Sequence, residues 1–202
     1  MPSFFIKFSV FICLSLFSQI TQAKWQVYHQ DKDLKISYQT FNKSGLYTLK
    51  ASVRINATID EFYHLLTDVK VAPTWLDRVE KVTLLESINP TTFIVLTHFE
   101  GFGPVYPREM ITQSVIIEKT ASKLHIQIKD MNGYRPVSKG FVRVKDVNVT
   151  WQASFNETQG LTISYISNFD PAGKLPIWLA NSYGLSSLKT SLYNLQKLKP
   201  FE

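Results

Sequence analysis

Cysteine is almost absent from this chain of 202 residues, which contains only one. A single thiol cannot build an internal disulfide framework or a cysteine-based zinc site. An excess of charge is also missing, since 22 basic and 16 acidic residues give a net charge of only +6. The basic residues are scattered and form no stripe or block, which argues against a nucleic-acid partner.

Long hydrophobic runs are absent too, because the longest one, residues 8–17, is shorter than the roughly 20 residues that span a bilayer. Lys7 precedes this run, and a polar stretch ending in Ala23 follows it. This pattern predicts a secretory signal over residues 1–23, with a membrane anchor as the alternative. We therefore expect one exported domain, residues 24–202, in the periplasm or outside the cell.

Motifs that would indicate chemistry are lacking as well. The chain has no P-loop, no G-x-S-x-G sequence and no H-E-x-x-H sequence, and its four histidines are widely separated. No pair of carboxylates has a spacing that requires acid–base catalysis. The sequence therefore predicts no catalytic residue, no metal site and no cofactor.

Most of the remaining chain alternates between apolar and polar residues, which indicates half-buried strands. A helix interrupts this pattern after Thr58, which forms a predicted capping box with Glu61. Short spacings favour antiparallel hairpins. A change of phase predicts a β-bulge near Lys145 and Asp146. The later strands are predicted at residues 79–87, 92–99, 108–119, 123–129, 141–155 and 161–169.

The last element is predicted to be an amphipathic helix of roughly 24 residues. Its apolar positions recur at helical spacing, and Gly184 inside it is a hinge, a close-approach site or a tolerated glycine. The element order predicts an α+β fold in which one curved antiparallel sheet wraps around this helix. A hydrophobic cavity, and with it a ligand site, is expected between sheet and helix. The apolar residues of the helix are Trp178, Leu185, Leu188, Leu192 and Leu195.

Aromatic residues cluster near predicted turns. A Gly-Phe-Gly-Pro turn at residues 101–104 carries Phe102, and Tyr106 follows it. The loop is interpreted as a gate over an apolar pocket, while ordinary core packing is the alternative.

Four phrases of the sequence occur together in the order found in one family. They are Trp75-Leu76-Asp77-Arg78-Val79, Pro107-Arg108-Glu109-Met110, Gly140-Phe141-Val142-Arg143, and the stretch 170–176 with Trp178 and Asn181 after it. In this respect the chain resembles the StAR-related lipid transfer (START) domain. The resemblance implies a helix-grip fold with a tunnel for one lipid or sterol. It also implies that loop 101–107 and the last helix form an entrance lid, and that the protein performs no chemistry.

The chain departs from the cholesterol-binding members of that family. They carry an arginine where this sequence has Ser114, and an acid where residues 95–97 contain none. No buried ion pair is therefore predicted in the tunnel. The hydroxyls of Thr97, Thr112 and Ser114 are instead the candidates for recognising the ligand. Arg108 and Arg143 are either polar groups of the tunnel or structural residues, paired with acids or backbone near the strand ends.

Together these observations predict a monomeric protein that binds a lipid or other hydrophobic molecule, with transfer of that molecule and transient contact with a membrane surface as further expectations. A polyketide cyclase-like enzyme on the same fold and a cavity-free interaction module of the envelope are the alternatives. The predicted ligand-binding residues are Thr97, Phe99, Phe102, Tyr106, Arg108, Thr112, Ser114, Arg143, Trp178, Tyr183 and Leu185.

Overall fold

A computed structural model describes residues 24–41, 44–103 and 105–198. The predicted signal, residues 1–23, lies outside these ranges and stays a prediction. The described elements are β1 (Gln26–Gln30), β2 (Leu34–Phe41), β3 (Leu46–Ile55), α1 (Ile59–Thr67), α2 (Ala72–Trp75), β4 (Val79–Asn89), β5 (Thr92–Phe99), β6 (Arg108–Lys119), β7 (Lys123–Asp130), β8 (Val142–Arg143), β9 (Lys145–Asn156), β10 (Gly160–Asp170) and α3 (Ile177–Lys197).

The strands form a curved sheet in the order β1-β2-β3-β10-β9-β7-β6-β5-β4, with every neighbouring pair on this path antiparallel. The short strand β8 pairs with β6 in parallel, off this path. The C-terminal helix α3 packs against the sheet, mainly on β3. The predicted α+β architecture of a sheet around a long helix is confirmed.

Local sequence explains the main elements. From Leu49 to Ile55 each buried residue alternates with an exposed one, as a half-buried strand requires. Helix α1 begins with the predicted capping box, in which the Thr58 hydroxyl accepts from the Glu61 N–H and the Glu61 carboxylate accepts from the Thr58 N–H. These bonds satisfy two N–H groups that a helix start leaves without partners.

Helix α3 is 21 residues long, slightly shorter than the roughly 24 predicted, and it begins at Ile177 directly after Pro176. Its buried face consists of Leu185, Leu188, Ser191, Leu192 and Leu195. No helix in the described ranges is both long and apolar enough to cross a bilayer.

The predicted bulge near Lys145 is present. Asp146 has a positive φ of 53°, and the pairing of β9 with β10 shifts between Asn168 and Asp170. The single strand predicted over residues 141–155 is therefore two strands, β8 and β9. Because β8 pairs with β6 and β9 with β10, the bulge lets one run of sequence join two parts of the sheet.

Two elements lie where the sequence pattern gave no signal. Strand β1 is short and mostly exposed, so it lacks the alternation that marks β3. Helix α2 has four residues, with Pro73 near its start, where proline is tolerated. It places Trp75 in the core.

Candidate functional site

A cavity of about 420 Å³ lies between the inner face of the sheet and α3. Its walls are mainly apolar and come from β4, β5, β6, β9, β10, α3 and the α2 region. Along α3 both Tyr183 and Leu192 line it, and nine residues of helix rise about 14 Å. The cavity thus has the size and lining of a small-molecule site, for which volumes of roughly 300–1,000 Å³ are typical.

The loop between β5 and β6 contributes Glu100, Phe102 and Val105 to one end of the cavity wall, and we call its described residues, 100–103 and 105–107, the lid loop. Phe102 in this loop stacks on Tyr183 of α3, with ring centroids 4.6 Å apart and ring planes 8° from parallel. The Arg78 guanidinium lies 5.1 Å from the Phe102 ring centroid and 5.2 Å from that of Tyr183. These three side chains join the lid loop, the start of β4 and α3 through stacking and cation–π contacts.

The backbone of the lid loop is itself closed. Phe102 and Val105 exchange two backbone hydrogen bonds of 3.1 and 2.9 Å. A Cβ atom at Gly101 would lie 2.7 Å from the Val105 carbonyl oxygen and 2.9 Å from the Pro107 nitrogen. Glycine is therefore required at this position for the tight turn that presents Phe102 to the helix.

Most of the residues predicted to bind a ligand do line the cavity. Strand parity explains this for β5 and β6, since alternate residues of a strand face the same side. The hydroxyls predicted to read the ligand are on the wall of the cavity as well. The predicted residues that line it are Thr97, Phe99, Phe102, Arg108, Thr112, Ser114 and Tyr183.

Four of the residues predicted to bind a ligand do not line the cavity: Tyr106, Arg143, Trp178 and Leu185. Tyr106 and Trp178 are 70% and 71% exposed, because they lie on the outside of the lid loop and in the first turn of α3. Leu185 points into the packed core instead and is 5% exposed.

Arg143 forms a buried ion pair on the other face of the sheet. Its Nη2 donates to Glu109 Oε1 at 2.6 Å and its Nε donates to the same oxygen at 3.1 Å. Glu109 follows Arg108, so it faces away from the cavity, and β8 places Arg143 beside it. This position agrees with the second interpretation of Arg143, in which it is a structural residue paired with an acid or with backbone near the strand ends.

The same arginine holds the segment 131–141 against the sheet. It donates to the backbone carbonyls of Asn132, Arg135 and Pro136 at 3.2–3.4 Å. Burial raises the pKa of Glu109, but its hydrogen bonds with Ser138 and Arg143 and the charge of Arg143 outweigh this, so the pKa is lowered. The pair of Glu109 and Arg143 therefore holds the segment 131–141 against the sheet and does not face the cavity.

His98 extends this cluster, which the sequence search did not identify. Its Nε2 lies 3.5 Å from Glu109 Oε2, and its ring lies 4.6 Å from that of Phe141. The sequence contained a signal for this contact, because a hairpin whose strands are joined by the lid loop pairs His98 directly with Glu109.

The sequence also did not place Trp75 in the cavity wall. Its buried indole N–H has no hydrogen-bond partner among the described residues.

The chemistry of the cavity wall is limited. Within the described ranges its lining contains no histidine and no cysteine, and its acids are Asp77 and Glu100. The described residues also include no group of three or more His, Cys, Asp or Glu side chains that could hold a metal ion. The wall offers apolar surface, hydroxyls and two arginines, Arg78 and Arg108.

A family model for the START domain matches residues 15–192 of the chain. The chain belongs to the START domain family. Two solved structures, each less than 25% identical to this chain, have the same fold. A STAR-related lipid transfer protein of Xanthomonas axonopodis has a TM-score of 0.76 at 22% identity, covering 85% of this chain and 96% of its own. Human StAR-related lipid transfer protein 5 has a TM-score of 0.76 at 15% identity, covering 86% and 85%.

The chain is also similar to an uncharacterized protein of Pseudomonas aeruginosa. The two are 25% identical over 174 residues, which is 85% of either chain. This similarity extends over most of the START domain.

Proposed function

We propose that this START domain binds one lipid or other hydrophobic molecule in its cavity and performs no chemistry on it. The observation that carries the proposal is the mainly apolar 420 Å³ cavity between sheet and α3. An apolar ligand gains about 25 cal/mol for each Å² that it removes from water. The absence of histidine and cysteine from the described lining favours binding over catalysis.

Exchange of the ligand requires the lid loop to open. The stack of Phe102 on Tyr183, with Arg78 over both rings, is the contact that must separate. Aromatic pairs of this kind contribute about 0.5–1.5 kcal/mol, which is small enough to break during exchange. The lid loop and α3 therefore act as the gate, and transfer of ligand between membranes is the proposed role.

The gate is also the proposed point of contact with a membrane. Trp178 and Tyr106 lie on the outside of it and are 71% and 70% exposed. Aromatic rings of this type favour the interface between lipid and water. Lys174 is exposed just before α3, and the net charge of +6 favours anionic surfaces.

We further propose that the protein is exported to the periplasm as a monomer. The sequence of residues 1–23 supports export. N-terminal sequencing of protein from a periplasmic fraction tests the cleavage after Ala23. Light scattering of the same material tests the monomer, and an intact N-terminus or a dimer contradicts the respective part.

The test of the function is transfer of a fluorescent lipid between donor and acceptor vesicles. The described chain contains no cysteine, so a variant with Phe102→Cys and Tyr183→Cys can be joined by a short thiol crosslinker. We expect transfer by the wild-type protein and by the uncrosslinked variant, and its loss after crosslinking. If the wild-type protein transfers no lipid, the proposed transfer role is wrong. If transfer survives crosslinking, the lid loop and α3 are not the gate.

A second experiment tests the proposed membrane contact. The double variant Trp178→Ala with Tyr106→Ala should slow transfer without changing ligand affinity in solution.

A further inference from the structure

The lid end of the cavity holds a cation without an anionic partner. Arg108, the first residue of β6, lines the cavity and is half-buried. It forms no ion pair with any carboxylate in the described ranges, although Asp77 and Glu100 also line the cavity. Burial lowers the pKa of its guanidinium, as expected for a charge removed from water without compensation.

The hydrogen bonds of Arg108 position it but leave donors free. Its Nη1 donates to the Tyr106 carbonyl at 2.5 Å and its Nε donates to the Pro171 carbonyl at 3.5 Å. A guanidinium carries five N–H donors in a planar fork suited to carboxylate and phosphate groups. The two carbonyls thus anchor Arg108 between the lid loop and the segment before α3, while its remaining donors have no partner in the described chain.

A second donor lies at the same end. The Tyr183 hydroxyl is buried and has no hydrogen-bond partner among the described residues. Its ring is held by the stack on Phe102, and the residue lines the cavity. Buried polar groups are normally paired, so an unpaired hydroxyl and a guanidinium with free donors on the same cavity wall point to an acceptor supplied by the ligand.

The volume limits the rest of the ligand. Sites for small ligands typically have volumes of roughly 300–1,000 Å³, and this cavity, at about 420 Å³, lies near the lower end of that range. A volume of this size favours a ligand with one acyl chain over a ligand with two. The stretch of about 14 Å along α3 suits an extended chain.

We propose that the ligand is a single-chain amphiphile with an anionic headgroup, held under the lid loop by Arg108 and Tyr183, with its chain extending along α3. This inference rests on the proposed function and names its ligand class. A fatty acid and a lysophosphatidic acid share the required chemistry, since either supplies one acyl chain and an anionic oxygen group.

The test is binding of matched probes to the purified, delipidated protein at pH 8. Trp75 and Trp151 line the cavity, so intrinsic fluorescence reports occupancy. The probes are hexadecanoic acid, hexadecanol, palmitoyl lysophosphatidic acid and dipalmitoyl phosphatidic acid. Because charge-assisted hydrogen bonds are strong, we expect an anionic single-chain probe to bind roughly tenfold or more tightly than the alcohol. Whichever anion binds more tightly identifies the headgroup.

The variant Arg108→Met should remove this preference and leave the affinity for hexadecanol within about twofold, while Arg108→Lys should keep part of it. Arg135→Met is the matched control, because Arg135 is exposed on the segment 131–141 and does not line the cavity. Equal affinity of the wild type for acid and alcohol overturns the inference, whether or not Arg108→Met folds. Equally tight binding of the diacyl lipid overturns the single-chain limit. In both cases the proposed function stands, whereas failure of every probe to bind overturns the proposed function as well.

Discussion

The ring of Phe102 lies flat on the ring of Tyr183, with centroids 4.6 Å apart. Phe102 belongs to the lid loop between β5 and β6, and Tyr183 to the C-terminal helix. This contact joins the sheet to the helix over the cavity, so its strength should set the rate at which a ligand leaves.

The first prediction concerns that contact. Phe102→Ala removes the stack and the surface under Arg78, which together contribute on the order of 1–2 kcal/mol. We expect ligand release to become roughly 5- to 30-fold faster, with a smaller change in the rate of binding. Stopped-flow fluorescence without membranes measures both rates. Tyr106→Ala is the control on the same loop, since Tyr106 is 70% exposed; equal release from both variants contradicts the role of the stack.

The second prediction concerns the buried pair of Glu109 and Arg143. Arg143→Met leaves the Glu109 carboxylate buried without a cation, and breaking such a pair costs about 3–5 kcal/mol. We expect a lower free energy of unfolding in urea and faster amide exchange in the segment 131–141, whose carbonyls lose their donor. Glu118→Gln, at an exposed position of the same strand, should change neither.

The same pair should make stability depend on pH. Because the pKa of Glu109 is lower in the folded state than its ordinary value of about 4.5, the unfolded chain binds a proton more readily. The contribution of the pair is fully present above that ordinary value and is lost as the pH falls through the folded-state value. Unfolding curves between pH 7 and pH 3 should therefore show a loss of stability that is smaller in Glu109→Gln; parallel curves contradict this.

The third prediction concerns Gly184, for which the sequence left three interpretations open. A Cβ atom there would lie 3.6 Å from Leu49 Cδ1 and 3.9 Å from Phe169 Cζ, which are ordinary contacts. Gly184→Ala should therefore fit and stabilise α3 by about 0.5–1 kcal/mol, seen as a higher melting temperature. Ser186→Ala is the exposed comparison on the same helix. Unchanged ligand exchange in Gly184→Ala supports a tolerated glycine, while slower exchange supports a hinge.

The sequence predicted much of this site because period-two alternation fixes which residues share a face. Once Thr112 is assigned to the inner face of β6, Arg108 and Ser114 follow, and the structure places all three on the cavity wall. The capping box at Thr58 and the bulge at Lys145 were readable for the same reason, since each depends on neighbouring residues.

The predicted residues that lie off the cavity wall are positioned by distant parts of the chain. The sequence left Arg143 either in the tunnel or in a structural pair, and the bulge places it in the pair because residues 142–143 join β6 beside Glu109. Where the side chains of Leu185 and Trp178 lie depends on how α3 is rotated about its own axis against the sheet. Helical spacing shows that a face is apolar, but it does not show which part of that face borders a cavity and which part is packed.

The central claim, that the cavity holds the ligand, is tested most directly by filling it. Thr112→Trp adds a large side chain to the cavity wall, while Ile117→Trp adds the same group on the same strand at a position that is 54% exposed. Each purified protein is incubated with a bacterial lipid extract and examined by native mass spectrometry, with circular dichroism to verify folding. We expect one lipid bound to each chain of the wild type and of Ile117→Trp, and none on folded Thr112→Trp. Equal lipid binding by the two tryptophan variants, or a wild-type protein that binds no lipid, would contradict the claim.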